Sequence, residues 1–392
     1  MKRILFVDDE EAILRSLRNL LRKQRTAWDM VFACGAEPAL AELEKAPFDV
    51  VVSDIRMPGM DGVALLDRVR HSSPASVRII LSGFAERDVV LKGVTVAHQL
   101  LGKPCESERL RGTVERACAL QDVLHDPELR GCAGGLDALP SPPGLYRELM
   151  AAAANPDVAL ADIAAIVERD PAMSAKILQV VSSPYFGVAG KHPSVAIAVQ
   201  RLGLELVRAL VLFSHGVGAA GDLASVDGFS IARLQERSLA AAQLARALAG
   251  RSAPAAEAFT AALLADLGQV ILATRRPQRF SEILREASGS RRPVHVVEAE
   301  ILGVTHADVG AYLLGAWGLP QSLVEAVAYH HRPSAAPADV ADLATLLHVA
   351  TALSDPAGGE ALLDPELMAR PEIAARLPDW KRAAEGQANG RA

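Results

Sequence analysis

The sequence predicts two domains of different fold class, a doubly wound α/β domain followed by an all-α domain. Between residues 1 and 124, short β-branched runs alternate with amphipathic helical patterns five times, as in a parallel sheet with helices on both faces. From residue 145 to about residue 353, nearly every segment has helical periodicity. Aromatic residues make up only 4% of the 392 residues, which favours helices packed through small side chains.

Five strands are expected in the first domain, with helical patterns in the gaps between them. The runs assigned to them are Ile4–Val7, Met30–Ala33, Val50–Ser53, Val77–Leu81 and Gln99–Leu101. In a doubly wound, flavodoxin-like sheet the first and third strands lie side by side. The carboxyl ends of these two strands are therefore expected to meet at one edge of the sheet.

Composition sets the remaining boundaries. Residues 125–140 are rich in Gly and Pro and are predicted to be a linker between a domain over 1–124 and an all-α domain over 141–355. Residues 356–392 are rich in Ala, Pro and Glu, and we expect them to form a partly disordered C-terminal tail.

Charge and cysteine content argue against several classes of protein. The formal net charge of -6 and the lack of a basic recognition helix argue against DNA as a partner. The four cysteines show no CxxC spacing and suit the reducing cytoplasm. Acidic residues follow the first apolar run too early for a signal peptide, and the longest later apolar stretch, 204–217, carries charges. No membrane segment is predicted.

The strongest functional signal is Asp54, which closes a buried strand directly before a Pro/Gly turn. Open α/β sheets bind ligands at this edge. Asp8 and Asp9 end the first strand, so three carboxylates are expected together, and they need a hard divalent cation such as Mg²⁺. Ser82 and Lys103 follow the fourth and fifth strands, where they could bind a phosphoryl group on Asp54.

These residues resemble the receiver (CheY-like) domain of two-component response regulators. The resemblance covers about residues 2–124 and rests on the acidic pair Asp8-Asp9, the segment Asp54-Ile55-Arg56-Met57-Pro58-Gly59-Met60-Asp61-Gly62, Ser82-Gly83 and Lys103-Pro104. It implies a phosphoacceptor, Asp54, served by a sensor histidine kinase. It also implies an Mg²⁺ site made by Asp9, Asp54 and the Arg56 backbone carbonyl, with Asp8 as their outer partner, while Ser82 senses the phosphoryl group and Lys103 pairs with it.

Two features qualify this interpretation. Without the resemblance, Asp8 and Asp9 could simply cap the following helix, and Lys103 could be a solvated charge. In this family, an aromatic switch residue three positions before the lysine usually reports phosphorylation by changing rotamer, and Leu100 stands at that position here. This favours signalling through a shift of the whole face made by the fifth strand and the predicted helices on either side of it in the sequence.

The second domain resembles the HDOD family, the HD-related output domain, over about residues 136–354. The supporting segments are Leu139-Pro140-Ser141-Pro142-Pro143, 163–173, 180–187 and 195–203. The related HD phosphohydrolases hold their metal with a His-Asp pair, which here reads Ala265-Asp266. The helix at 236–241 lacks its histidine, and Thr351 replaces the closing aspartate. Because a lone Asp266 cannot hold a divalent ion in a catalytic geometry, we expect a non-catalytic domain without a metal.

Three histidines leave an alternative open. His306, His330 and His331 stand where the superfamily has additional histidines, and they are either hydrogen-bonded between helices or part of a residual metal or phosphate site.

The resemblances imply a cytoplasmic response regulator of a phosphorelay. Its HDOD domain would bind a protein or a nucleotide second messenger, and pairing with a second copy is left open. The alternative function is a metal-dependent HD-GYP-type phosphodiesterase for cyclic di-GMP. That class continues after the His-His pair with Arg-x-Asp-Gly-x-Gly-Tyr-Pro, a segment missing here.

Overall fold

The computed structural model divides into two compact units. Unit 1 comprises Met1–Asp137 with Gln179–Ala189 and Tyr312–Gly318, and unit 2 comprises Ala138–Leu178, Gly190–Ala311 and Leu319–Ala392. The structure describes every residue except 84–92, 94, 125, 135–138, 140–142, 156–157, 183–193, 216–225, 250–254, 356–358 and 390–392.

Unit 1 is built on a five-stranded parallel sheet in the order β2-β1-β3-β4-β5. The strands are β1 (Lys2–Asp8), β2 (Trp28–Cys34), β3 (Val50–Asp54), β4 (Val77–Ser82) and β5 (Gln99–Gly102). All five residues of β3 are buried, as expected for a strand covered on both faces. β1 pairs with β3, with Val7 opposite Ser53. The predicted fold class and the predicted adjacency of the first and third strands are confirmed.

The described part of the α/β unit also contains the helices α1 (Glu11–Leu20), α2 (Ala36–Lys45), α3 (Gly62–Ser72) and α4 (Ser107–Val123). Asp61 caps the first turn of α3, because its Oδ1 accepts a hydrogen bond from the Ala64 amide at 2.8 Å. The helix that the sequence predicts between the fourth and fifth strands falls largely on 84–94, mostly outside the described residues.

The predicted linker contains a helix, α5 (Pro127–Gly134), in which Leu129 and Ala133 are buried. Arg78 of β4 is also buried, and its guanidinium donates to the carbonyl oxygens of Gly134 and Val96, each at 2.7 Å. Carbonyl acceptors satisfy the charged donors where water is excluded. The Gly and Pro content of this segment therefore concealed a short helix.

The rest of the chain is helical. The elements are α6 (Pro143–Ala154), α7 (Leu160–Val167), α8 (Pro171–Ser182), α9 (Val195–His215), α10 (Ile231–Ala249), α11 (Ala255–Leu264), α12 (Leu267–Arg275), α13 (Pro277–Ser290), α14 (Val294–Leu302), α15 (His306–Ala316), α16 (Gln321–Tyr329) and α17 (Ala341–Ser354). α10 packs against α11 and α17, and α17 also packs against α16. This confirms the predicted all-α class.

The tail differs from its prediction. Residues 359–389 include α18 (Pro365–Met368), α19 (Pro371–Ala374) and α20 (Leu377–Asn389). Leu367, Ile373 and Trp380 are buried, and α20 packs against α10 and α17. The prediction of a partly disordered tail is therefore wrong for these residues, because a few widely spaced apolar side chains are enough to dock the short helices.

Within the part of the chain that the structure describes, one segment, Ala255–Arg275, is long and apolar enough to cross a membrane, with a mean hydropathy of 1.4. Of the window that meets this criterion, 89% is buried inside the protein. The helix also breaks at Ala265 and Asp266, between α11 and α12. Burial and a charged residue at a helix break are features of a pair of core helices. The longest apolar stretch noted in the sequence, 204–217, is a different segment.

Candidate functional site

The carboxyl edge of the sheet brings Asp8, Asp54 and Lys103 into direct contact. The Lys103 ammonium donates to Asp8 Oδ2 at 2.7 Å and also to Asp54 Oδ1. Asp8 is 1% exposed and Asp54 is 7% exposed, so both carboxylates are largely removed from water. The pairing of β1 with β3 places the two acids side by side, as the sequence predicts.

Backbone amides fix the second oxygen of each carboxylate. The Arg56 amide donates to Asp54 Oδ2 at 2.7 Å, and the Glu10 amide donates to Asp8 Oδ1 at 3.0 Å. The turn after β3 requires Gly62, because a Cβ there would lie 1.9 Å from the Asp54 carbonyl oxygen. The Pro/Gly segment thus holds Asp54 in place through close backbone packing.

The charge of Lys103 partly compensates the two acids. Burial alone would lower the pKa of Lys103, but the hydrogen bonds and charges of Asp54 and Asp8 raise it above its usual value. One ammonium between two carboxylates leaves an excess of negative charge. Oxygen ligands with residual negative charge suit a hard divalent cation.

The remaining predicted residues have different positions at this edge. Ser82 is buried at the end of β4, and its carbonyl oxygen accepts a hydrogen bond from the Lys103 amide at 2.6 Å. Asp9 is exposed, and its carbonyl accepts from Cys34 Sγ at 3.3 Å. Leu100 is 1% exposed and pairs with Ile80 in the sheet, so the leucine in the switch position is a core residue.

A second cluster lies in unit 2 and contains Asp266, His306, His330 and His331. Each side chain offers one ligand atom, and all four atoms lie within 4.8 Å of one another. The expectation that Asp266 stands alone is therefore wrong. Its three histidine neighbours come from the first residue of α15 and the end of α16, which are distant from Asp266 in the sequence.

Arg237 of α10 neutralises Asp266. Its Nη2 donates to Asp266 Oδ2 at 2.9 Å and to Gln269 Oε1 at 3.3 Å. Burial alone would raise the pKa of Asp266, but Arg237 and the neighbouring His306 hold it below its usual range. Sequence reasoning noted the missing histidine on this helix but did not identify Arg237 as the partner of the aspartate.

His306 links this aspartate to a second buried carboxylate, Glu298. His306 Nδ1 lies 2.6 Å from Glu298 Oε2, and its Nε2 lies 3.2 Å from Asp266 Oδ1. Burial alone would lower the pKa of His306, but the two carboxylates raise it to about 10. Burial lowers the pKa of His330 to about 4, and burial with neighbouring imidazoles lowers that of His331 well below its usual value.

A glycine lets the helices of the cluster approach each other. A Cβ at Gly268 would lie 1.9 Å from the His306 carbonyl oxygen and 2.9 Å from the Gly310 amide nitrogen. The glycine that follows Asp266 by two residues is the sequence signal that could have indicated this contact.

Two residues of α17, His348 and Thr351, have partners elsewhere. His348 is buried, its Nδ1 donates to the His330 carbonyl at 2.8 Å, and its Nε2 accepts from the Asp364 amide. The Thr351 hydroxyl donates to the Leu347 carbonyl of its own helix at 2.9 Å. These contacts keep both side chains out of the Asp/His cluster.

The early motifs of the second domain are described in part. In the segment 163–173, Asp170 Oδ1 accepts hydrogen bonds from the Ala172 and Met173 amides and so caps the start of α8. In the segment 180–187, positions 183–187 lie outside the described residues, as do positions 140–142.

Comparison with protein families assigns both halves of the chain. The response regulator receiver domain matches residues 4–115, and the HDOD domain matches residues 139–333. An uncharacterised protein from Treponema pallidum is 30% identical over 208 residues, which is 52% of this chain and 40% of that protein. The hydrogenase transcriptional regulatory protein HoxA from Cupriavidus necator is 34% identical over 125 residues, 31% of this chain and 25% of its own length. The chain thus spans less than half the length of these relatives.

Two solved structures resemble larger parts of the chain. The MmoQ response regulator from Methylococcus capsulatus is 26% identical, with a TM-score of 0.49. The matched region covers 63% of this chain and 93% of the MmoQ chain. A virulence factor from Campylobacter jejuni is 21% identical, covers 66% and 91%, and has a TM-score of 0.52, which shows similarity of fold.

The chain is a two-component response regulator, with its receiver domain over residues 4–115. Within that class, it carries an HDOD domain after the receiver domain.

Proposed function

We propose that Asp54 accepts a phosphoryl group from a sensor histidine kinase and thereby controls what the HDOD domain binds. The observation that carries this proposal is the shared ammonium of Lys103 between Asp8 and Asp54 at the open edge of the sheet. An ammonium in this position can pair with a phosphoryl oxygen once the aspartate is modified. Ser82, at the end of the neighbouring strand, would contact the same group.

The donor set fits Mg²⁺, which prefers oxygen ligands and retains several waters. Asp54, Asp9 and the Arg56 backbone carbonyl would hold the ion, with Asp8 as their outer partner. Bound there, Mg²⁺ would supply positive charge for the phosphoryl oxygens. The protein's own contribution is to orient Asp54 through the Arg56 amide and to keep Lys103 charged.

We further propose that the HDOD domain acts by binding rather than by catalysis, with a protein or a nucleotide second messenger as its partner. Support comes from Arg237, whose guanidinium occupies one oxygen of Asp266. Ala265 and Thr351 stand where related hydrolases have metal ligands, and neither an alanine nor a hydroxyl bonded to its own helix donates to an ion. Phosphorylation would then shift the population of arrangements that the chain adopts alone or with a second copy.

The second candidate function is a metal-dependent phosphodiesterase of the HD-GYP type. The grouping of Asp266 with three histidines favours it. The ion pair of Arg237 with Asp266 argues against it, because that guanidinium takes up an oxygen a second ion would need.

The phosphoacceptor is tested by incubating the protein with acetyl phosphate and Mg²⁺ and locating the label by mass spectrometry. We expect one phosphoryl group on Asp54 and no label in Asp54→Ala. Asp29→Asn, which changes a half-exposed carboxylate of β2, should label like the wild type. Labelling that persists in Asp54→Ala would contradict the assignment.

The output is tested by a pull-down that compares the wild type with Asp54→Ala in the presence of the phosphoryl donor. We expect partners that only one of the two samples captures. Identical partners would count against control by phosphorylation. Turnover of cyclic di-GMP by the purified protein would instead establish the phosphodiesterase.

A further inference from the structure

The Asp/His cluster of unit 2, made of Asp266, His306, His330 and His331, brings four possible ligand atoms within 4.8 Å of one another. His306 Nε2 lies 3.2 Å from Asp266 Oδ1 and 2.9 Å from His331 Nε2, and His330 Nε2 lies 3.9 Å from Asp266 Oδ1. Ligand atoms about 2.0 Å from a tetrahedral ion lie roughly 3.3 Å from one another. The observed separations fall on both sides of this value.

His330 supplies an independent sign of a missing cation. Its Nδ1 lies 2.7 Å from the Val327 carbonyl, which can only accept, so this nitrogen carries the proton and Nε2 presents a lone pair. His330 is 0% exposed, and among the described residues its Nε2 has no hydrogen-bond partner. A buried lone pair therefore faces a carboxylate oxygen of Asp266 with no donor between them, an arrangement that costs free energy unless a cation fills it.

The surrounding contacts orient the imidazoles as in known metal sites. Glu298 Oε2 accepts from both the amide and Nδ1 of His306, at 2.8 and 2.6 Å, and so directs His306 Nε2 toward Asp266. The Val327 carbonyl does the same for His330. Metal-bound histidines usually have their second nitrogen fixed in this way by a carboxylate or a backbone carbonyl.

We propose that Asp266 Oδ1, His306 Nε2, His330 and His331 together bind one divalent transition-metal ion of the Zn²⁺ class. Three imidazoles and one carboxylate suit such an ion better than Mg²⁺ or Ca²⁺, which prefer oxygen ligands. Four protein ligands complete a tetrahedral shell, which is characteristic of structural rather than catalytic zinc sites. The proposal goes beyond the signalling function and does not depend on phosphorylation of Asp54.

The ion would connect three helix ends of unit 2. Asp266 directly precedes α12, His306 begins α15, and His330 and His331 directly follow α16. Arg237 can keep its bond to Asp266 Oδ2, because the ion needs only Oδ1. His331 also lines a surface cavity of about 460 Å³ together with His295, which provides a route for the ion.

The main alternative to a metal ion is a proton on His306. A doubly protonated His306 could donate through Nε2 to Asp266 and His331 and hold the cluster together without a metal. That arrangement would still leave His330 Nε2 without a donor among the described residues. The two states differ in whether the cluster binds an added ion, so a binding experiment separates them.

The test uses the full chain, stripped with a chelator and titrated with Co²⁺ in excess Mg²⁺, which competes at oxygen sites. Tetrahedral Co²⁺ has strong visible ligand-field bands, and Zn²⁺ should displace it. We expect one Co²⁺ per chain in the wild type and in His71→Gln, which changes an exposed histidine of the receiver domain. His330→Gln and His331→Gln should lose the bands, and Glu298→Gln should weaken binding by about 10- to 100-fold.

Circular dichroism establishes that each variant is folded, and if His330→Gln does not fold, the less buried His331→Gln decides the outcome. The proposal is overturned if the stripped wild type gives no tetrahedral Co²⁺ spectrum. It is also overturned if folded His331→Gln gives the wild-type spectrum and stoichiometry.

Discussion

Replacing Arg237 with Met should destabilise the helices around Asp266. The guanidinium lies 2.9 Å from a carboxylate whose side chain is 10% exposed. At an effective dielectric constant of about 20, two unit charges at this distance attract by about 6 kcal/mol before desolvation is counted. Removing one member of a buried pair typically costs about 3 to 5 kcal/mol. Because the Arg237 side chain is 31% exposed, we expect the lower end, about 3 kcal/mol.

Hydrogen exchange read by mass spectrometry can assign this loss to one region of a two-domain chain. In chelator-treated Arg237→Met, amides of α12 should exchange about 100-fold faster, since each 1.4 kcal/mol is about tenfold. Arg279→Met breaks an exposed pair with Glu282 and should change exchange little. Adding Asp266→Asn to Arg237→Met should restore most of the protection. The reasoning is refuted if the α12 amides of Arg237→Met exchange like those of the wild type. It is also refuted if adding Asp266→Asn makes these amides exchange faster still.

Three further substitutions or reagents test the packing. Gly268→Ala would place a Cβ 1.9 Å from the backbone of α15 and should lower the free energy of unfolding by about 3 kcal/mol. Gly289→Ala, where a Cβ meets open space, should raise that free energy by about 0.5 kcal/mol. Equal urea midpoints for the two variants would contradict this expectation. Iodoacetamide should alkylate the exposed Cys34 in the native protein and spare Cys118, because burial raises the pKa of the Cys118 thiol to about 12. Comparable alkylation rates at the two cysteines would refute the buried position of Cys118. Asp170→Ala removes the cap of α8 and should cost about 1 to 2 kcal/mol in thermal or urea unfolding, while an unchanged transition would show that the cap contributes nothing.

Much of the receiver fold was predictable because its signals are local. A strand buried on both faces reads as a continuous β-branched run, and each of the five predicted strands lies within an observed strand. Asp54 could be identified as a candidate site residue because it is a charged residue that ends such a run before a Pro/Gly turn. The Lys103 contact followed from strand order, since parallel strands deliver their ends to one edge.

The second cluster could not be predicted in the same way. A metal motif is recognised by fixed spacing along the chain, but Asp266, His306 and His330 come from three helix ends whose separation depends on how the helices pack. The close approach at Gly268 that brings α12 onto α15 depends on the absence of a side chain, which leaves little trace in hydrophobic periodicity. Helix α5 and the short helices near Trp380 were missed because Gly, Pro and Ala obscured their few buried positions.

A comparison of two buried aspartates, Asp54 and Asp266, shows why chemistry is expected at the first of them only. Lys103 presents a compact ammonium on a flexible stem, whose three donors could follow an oxygen if Asp54 became an acyl phosphate, as we propose. Arg237 presents a planar guanidinium that bonds Asp266 and Gln269 together and has no comparable freedom to turn. A lysine beside an aspartate at an open sheet edge suits a carboxylate that is modified and released. An arginine beside an aspartate between helices suits a carboxylate that stays ionised, and such a carboxylate still has one oxygen available for a structural metal ion.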